Sequence, residues 1–335
     1  MVEATWFIEG NDVMAGLYLG IDLGGTLIKF ALLDDALIPK GHLELPTPVQ
    51  KGPDEVIDMM IYGARKLLHQ QGVSSSDLSG IGVASPGPID FETGTVIAMP
   101  NIPGFNDIPL RARLADALGV ETILENDANA AAMGEAFCGA GKNADILIML
   151  TLGTGVGSGI IIDGKVLRGC HSAGAEIGHM IVEPNGEPCP CGQRGCLERY
   201  SSAAAVAQYA RRLIENDGRQ STLSKILKKH GDIDASQVND AQIAGDELAK
   251  EVWDRAMYFL AIGCINLARL FDPEVIILGG GMAKSGESLI NPLRRYFNEL
   301  HWTLTEPKTS LELSTLGSKA GVIGAAVIAW KTFGK

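Results

Sequence analysis

The chain has 335 residues, enough for two domains with separate cores. It carries 28 basic and 40 acidic residues, and the net charge of −12 argues against a generic nucleic-acid binder, which needs a basic footprint. Hydrophobic residues make up 46% and charged residues 20%, which excludes a disordered chain, and the one compositional excess is glycine, at 41 residues.

Residues 1–16 contain Glu3, Glu9 and Asp12, with no basic cluster and no long apolar run. They read as an extension without a signal-peptide pattern, expected to lack order. No stretch reaches the ~18 apolar residues of a membrane helix. Leu17 to Ile21 is strand-like, Asp22 to Thr26 a turn, and Leu27 to Leu33 a second strand. Asp54 to Gln71 has helical spacing. Ile81 to Ala84 is a short buried strand that ends in Ser85-Pro86-Gly87-Pro88. Leu110 to Leu118 is helical, and Thr122 to Leu124 is a strand leading into Glu125-Asn126-Asp127. Ala128 to Phe137 is an alanine-rich helix that Asn126 or Asp127 could cap.

The pattern then restarts. Ile146 to Leu150 is a strand, Leu152 to Gly155 a turn, and Ile160 to Ile162 a strand. With Asp22 set against Thr151, Leu23 falls on Leu152, Gly24 on Gly153 and Asp34 on Asp163, so a strand–turn–strand unit is duplicated. Two similar lobes facing each other are expected. Ala203 to Asn216, Ala241 to Leu270 and Leu289 to Leu300 have helical spacing, although Gly245 and Gly263 weaken the case for one unbroken middle helix. Residues 218–240 are polar and read as an excursion. Glu274 to Leu278 is a strand running into Gly279-Gly280-Gly281 and a helix, and Ala320 to Lys331 is an apolar helix.

Three glycine clusters thus follow apolar strands: Gly24-Gly25, Gly153 to Gly159, and Gly279 to Gly281. Glycine lets backbone N–H groups approach phosphate oxygens, Thr26 and Thr154 add hydroxyls, and a helix opening after the third turn would favour an anion. Gly24, Gly25, Thr26, Thr154, Gly155, Gly280 and Gly281 are therefore phosphate candidates, with Asp22 and Lys29 beside the first turn. Two rival motifs fail. The P-loop pattern breaks because Gly141-Lys142 is followed by Asn143, and the alternating glycines after Leu152 suit a hairpin better than a dinucleotide fingerprint.

Of the six cysteines, Cys138, Cys170 and Cys264 stand alone and are expected to be buried free thiols. Cys189, Cys191 and Cys196 crowd together, with His179 upstream. In an unsignalled chain this points to the cytoplasm and to a metal site rather than disulfides, and a Cys3His set suits structural zinc. A hydroxyl-rich acceptor needs carboxylates and amides, and candidates near element ends are Asn101, Asn126, Asp127, Glu176, His179 and Glu198.

These residues carry a resemblance. Leu19-Gly20-Ile21-Asp22-Leu23-Gly24-Gly25-Thr26 resembles the first phosphate motif of the actin/hexokinase/heat-shock ATPase superfamily, Leu150 to Gly159 its second, and Ile276 to Gly281 its adenosine motif. The stretch from Gly169 through Ala173 to Met180 and on to Cys189-Pro190-Cys191-Gly192-Gln193-Arg194-Gly195-Cys196-Leu197-Glu198 is similar to the signature of the ROK family of sugar kinases and sugar-responsive repressors. The resemblance implies a duplicated ribonuclease H-like α/β fold with ATP in the cleft between two lobes. It implies a small lobe of residues 17–127 completed by 319–335, and a large lobe of 128–318 with a zinc loop at 179–196.

It further implies hexose binding by Asn101, Asn126, Asp127, Glu176, His179 and Glu198, with Ser85 and Gly87 in a loop lining the pocket. Asp127 resembles the family's general base, and Asp22 reads as a Mg²⁺-water or phosphate-proximal group. Leu27 and Ser158 depart from the family pattern, away from the expected chemistry. The expected activity is phosphorylation of a hexose at its primary hydroxyl, with glucose foremost. N-acetylmannosamine, N-acetylglucosamine, fructose and allose stay open as acceptors. A repressor would need a helix-turn-helix domain ahead of the first strand, and the charge opposes DNA binding. An actin-like or chaperone-like ATPase would leave Glu176, His179 and the cysteines without a use. A homodimer or homotetramer is expected from the resemblance alone.

Overall fold

The computed structural model describes residues 16–99, 102–302, 304 and 306–334. Residues 1–15 of the expected extension and the candidate Asn101 lie outside the described residues.

The first half of the chain runs β1 (Leu17–Leu23), β2 (Leu27–Leu33), β3 (Pro39–Pro46), α1 (Pro53–Gln70) and β4 (Leu78–Ser85). It continues with β5 (Ile89–Asp90), β6 (Thr95–Ala98), β7 (Asn106–Ile108), α2 (Leu110–Leu118), β8 (Thr122–Asn126) and α3 (Asp127–Cys138). The main sheet has the order β3-β2-β1-β4-β8. β1 is antiparallel to β2 and parallel to β4, and β4 is parallel to β8. β1 is buried along almost its whole length, as a central strand covered on both faces should be. β3 alternates exposed and half-buried positions and has a proline at each end, which suits a sheet edge.

The second half runs β9 (Ile146–Leu152), β10 (Val156–Ile162), β11 (Lys165–Val166), α4 (Glu198–Ser201), α5 (Ala203–Glu215), α6 (Leu223–His230), α7 (Ala235–Ile243) and α8 (Glu247–Phe271). It closes with β12 (Val275–Gly279), α9 (Glu287–Leu300), β13 (Ser310–Leu313) and α10 (Ala320–Phe333). Its sheet, β11-β10-β9-β12-β13, repeats the first in order and sense: β9 is antiparallel to β10 and parallel to β12, and β12 is parallel to β13. The duplication read from the glycine turns is thus a duplication of whole sheets, giving the expected ribonuclease H-like fold.

One apolar cluster fills the outer side of the first sheet beneath α1 and α2, and a second fills the outer side of the second sheet beneath α5 to α9. A third joins the two halves and holds α3, α10 and the inner faces of both sheets. Close approach there depends on glycine. A Cβ on Gly82 would lie 1.8 Å from the Ala325 carbonyl oxygen, and one on Gly324 would lie 1.6 Å from that of Ala130. The last helix therefore lies hard against β4 and crosses α3 at backbone contact. Glu135 fixes the approach to α10. Its fully buried carboxylate accepts hydrogen bonds from Ser314 Oγ (2.5 Å), Leu316 N (2.9 Å) and Ala140 N (2.8 Å).

Three expectations change. The polar stretch 218–240 is not an excursion: it folds into α6 and most of α7, and Leu223, Leu227, Ile233 and Val238 are buried in the second core. The helix expected from Ala241 starts at Glu247 instead, because Gly245 has φ +91° and breaks it from α7, while Gly263 is accommodated inside α8. Of the lone cysteines only Cys264 is buried; Cys138 is half-buried and Cys170 exposed. No helix among the described residues is long and apolar enough to cross a membrane.

Candidate functional site

The three glycine turns sit at the ends of β1, β9 and β12, strands that are central or next to central in their sheets. The first is exposed and braced from behind: Gly24 N donates to Leu27 O (3.0 Å), and Thr47 Oγ1 donates to Gly24 O (2.7 Å). Thr26 is exposed at its tip, and its carbonyl accepts from Thr47 N (2.9 Å). In the second turn Gly153 N donates to Gly155 O (2.9 Å), leaving the Thr154 side chain in solvent. The third turn packs on the second: Gly280 has φ +82°, and a Cβ there would meet Leu152 O at 2.5 Å. Gly281 faces open space. The expected helix start at this turn is corrected. A 3-10 turn, Met282–Ser285, follows the glycines and α9 begins only at Glu287, so no α-helix N-terminus stands there to favour an anion.

Two carboxylates approach the turns. Asp22, the half-buried residue next to the end of β1, faces the first residues of α10, where a Cβ on Gly321 would lie 2.8 Å from its Oδ2. Burial pushes its carboxyl up to about 6, Lys29 pulls the other way, and the nearby Asp127 adds to the rise. Lys29 itself donates to the Ser318 carbonyl (2.6 Å). Asp127 opens α3, and burial pushes its carboxyl above the ordinary value despite a hydrogen bond from Ala128 N (2.8 Å). Asn126 caps the helix, accepting from Ala128 N (3.0 Å) and Asn129 N (3.3 Å). Helix capping is thus assigned to Asn126.

An open cleft of about 530 Å³ reaches Asn126, the residue before Asp127; Gly87, Asn129, Ser158, Arg168 and Glu176 are also among its walls, and neither Asp22 nor Asp127 lines it. The small sheet β5-β6-β7 overhangs it through Ile89 and Ile97. Of the sequence candidates, Gly87, Asn126 and Glu176 reach the cleft directly. Ser85 is buried beneath it and donates to Pro86 O (3.2 Å). Glu198 turns to the second glycine turn, where its Oε2 accepts from Val156 N (2.9 Å). His179 follows Glu176 in a 3-10 turn and is directed at the cysteines.

Sequence reading missed several residues that shape the cleft. Glu125 is buried, and its Oε1 accepts from Asn126 N and from Asn129 Nδ2, both at 3.0 Å. Its Oε2 receives a two-pronged contact from Arg168, whose Nε lies at 3.0 Å and whose Nη2 also donates, and the guanidinium stacks on Phe91 at 5.0 Å. Arg168 and Glu125 are 43 residues apart, so no local spacing signals the pair. Ser158, where the chain departs from the family pattern, lines the cleft; its hydroxyl donates to Ala175 O and accepts from Ile177 N (3.1 Å). It therefore holds the segment that carries Glu176.

The cysteines and His179 converge. Their four ligand atoms all lie within 4.8 Å of one another. Cys191 Sγ is 3.6 Å from Cys196 Sγ, and His179 Nδ1 is 3.7 Å from Cys189 Sγ. Tetrahedral thiolates around zinc stand about 3.8 Å apart, whereas a disulfide needs about 2.05 Å. The donor set and spacing therefore fit zinc. Hairpin contacts shape the loop: Cys189 N donates to Gln193 O (2.9 Å), and Ile181 pairs with Cys196.

The ROK family pattern spans residues 18–332. A glucokinase of Halalkalibacterium halodurans is 38% identical over 308 residues, covering 92% of this chain and 93% of that one. Among solved structures, a ROK hexokinase from Thermus thermophilus has a TM-score of 0.79 at 33% identity, covering 94% of this chain and 98% of that one. A ROK glucokinase from Streptomyces griseus, in complex with glucose and AMPPNP, has a TM-score of 0.77 at 31% identity, covering 94% of this chain and all (100%) of that one. These likenesses run over nearly the whole chain, across both duplicated sheets, their glycine turns and the cysteine–histidine cluster: it belongs to the ROK family.

Proposed function

We propose that this protein transfers the γ-phosphoryl group of ATP to the primary hydroxyl of glucose, with Asp127 as general base. The chain is an ATP-dependent hexokinase. The glucokinase relative and the glucose-bound neighbour support glucose as the acceptor. The observation that carries the reading is a carboxylate raised by burial at the start of α3, one residue from the cleft-lining Asn126 and close to the glycine turns.

We assign the first and second turns to the phosphates through Gly24, Gly25, Thr26, Thr154 and Gly155, and Gly280 and Gly281 to the adenosine side. Lys29 acts on the phosphates through its charge. Asp22 would hold Mg²⁺ through water, and the bound ion would supply charge neutralisation to the transferring group. Asn126 and Glu176 hold the sugar hydroxyls from the cleft wall, with Gly87 beside them; His179 and Glu198, which face the cysteines and the second glycine turn, and Asn101 are assigned to the sugar on the family resemblance. Asp127 accepts the hydroxyl proton as the oxygen attacks phosphorus. His179, Cys189, Cys191 and Cys196 would hold zinc, whose structural role would be to fix the loop that carries His179; the other ring nitrogen of His179 would then be free for a sugar hydroxyl. We place residues 17–127 with 319–335 in the small lobe and 128–318 in the large lobe.

A base must be ionised to work. Because burial raises Asp127, kcat/KM is expected to fall on acidification with a midpoint above the ordinary aspartate value of 3.8. The same shift makes Asp127 cost stability as pH climbs from its unfolded pKa through its folded one. A pH–rate profile with its acid limb at or below 3.8 would contradict the assignment. Phosphorus NMR of the product tests the regiochemistry: hexose 6-phosphate is expected, and a 1-phosphate would overturn the proposed attack.

Glu125 is a positioning residue in this scheme, since it holds Asn126, Asn129 and Arg168 without reaching the reacting atoms. Glu125→Gln is expected to raise the sugar KM by on the order of 10-fold while the KM for ATP holds, because small misplacements in a preorganised site are costly. Steady-state kinetics with each substrate varied would show it. Equal changes in both KM values would mark a general structural role.

A further inference from the structure

Three guanidinium groups converge on one crevice behind the cysteine loop. Arg199 on α4, Arg212 on α5 and Arg255 on α8 line a cavity of about 140 Å³ together with Glu187, Gln208 and Tyr209. None of these residues lines the catalytic cleft.

Their charge is not balanced. Glu187 pairs with Arg212 at 2.7 Å, and among the described residues no carboxylate pairs with Arg199 or Arg255. Arg255 is sandwiched by aromatic faces instead, 4.1 Å from the Tyr209 ring and 4.7 Å from that of Tyr200. Arg199 reaches Gln208 Oε1 through Nη2 (3.2 Å), but its buried Nε–H has no partner. Burial pulls the Arg255 pKa down, yet a guanidinium stays protonated in proteins, so its charge persists. The crevice thus holds three fixed positive charges against one negative, in a chain of net charge −12. Cation–π contacts offset only part of the cost of half-buried charge.

An anion would complete this arrangement. Guanidinium forks match phosphate oxygens in geometry, and a phosphate monoester carries roughly two negative charges at neutral pH. The cavity offers about ten times the room that one water needs, which accommodates a phosphoryl group. We propose that this crevice is a second anion site that binds a phosphate dianion, either inorganic phosphate or the phosphoryl end of a phosphorylated metabolite.

Equilibrium dialysis with radiolabelled inorganic phosphate at fixed ionic strength tests it. The expected result is saturable binding that weakens at least ~10-fold in the Arg199→Gln/Arg255→Gln double variant. Glu187→Gln removes the one competing carboxylate and should tighten binding; this variant also covers the case in which the double variant does not fold. Displacement by glucose 6-phosphate would identify a phosphorylated metabolite as the source, and failure to displace would identify inorganic phosphate. Absence of binding, or binding that none of these substitutions alters, would overturn the proposal. So would loss of self-association in the double variant without phosphate binding, which would assign the crevice to a carboxylate of a second copy.

Discussion

Replacing Asp127 by Asn is expected to cut turnover at least ~100-fold while leaving sugar affinity largely intact, the usual mark of a lost general base. Asn has the same shape and keeps an oxygen to accept from Ala128 N, so the start of α3 should survive. Asn126 performs the capping, with hydrogen bonds from Ala128 N and Asn129 N. The substitution therefore removes a proton acceptor and little else. Isothermal titration of sugar alongside steady-state kcat separates the two effects. Near-normal turnover would reduce Asp127 to an acidic residue in a helix's first turn.

Removing the zinc proposed for the cysteine–histidine cluster is expected to have the second-largest effect. Cys196 is buried and its thiol is pushed up to about 12, burial being the main cause, so it is costly to ionise without a cation. Cys191, exposed and hydrogen-bonded by Gln193, is lowered to about 6. A divalent ion resolves this disparity by holding both as thiolates. About one zinc per chain should persist through dialysis. Cys196→Ser should lose it, lower the thermal midpoint and raise the sugar KM at least ~10-fold, because the loop that sets His179 loses its anchor. Cys170→Ser, an exposed thiol outside the cluster, should change none of these. Full zinc retention in Cys196→Ser would contradict the four-ligand site.

Much of this was legible in the chain because the informative residues are local. Each glycine turn follows its strand directly, the duplicated unit preserves spacing, and the three cysteines lie within one loop. What escaped was of two kinds. β3 alternates exposed and half-buried residues between two terminal prolines, and β5 to β7 are only two to four residues long, so their periodicity is weak. Residues 218–240 look polar because Leu223, Leu227, Ile233 and Val238 are few, although each is buried. The other kind is long-range. The grip of Glu125 on Arg168 joins residues 43 apart, and the Glu135 hydrogen bonds to Ser314 and Leu316 span 179 and 181. The glycine excess also had a second use: besides the turns, Gly82 and Gly324 let α10 approach β4 and α3 closer than any side chain would allow.

The most direct test of the kinase reading is ADP release coupled to an indicator reaction, with ATP and a panel of glucose, fructose, allose, N-acetylglucosamine and N-acetylmannosamine. The expected result is strong sugar-dependent release that is greatest with glucose and abolished in Asp127→Asn. No sugar-dependent release with any member of the panel would contradict it.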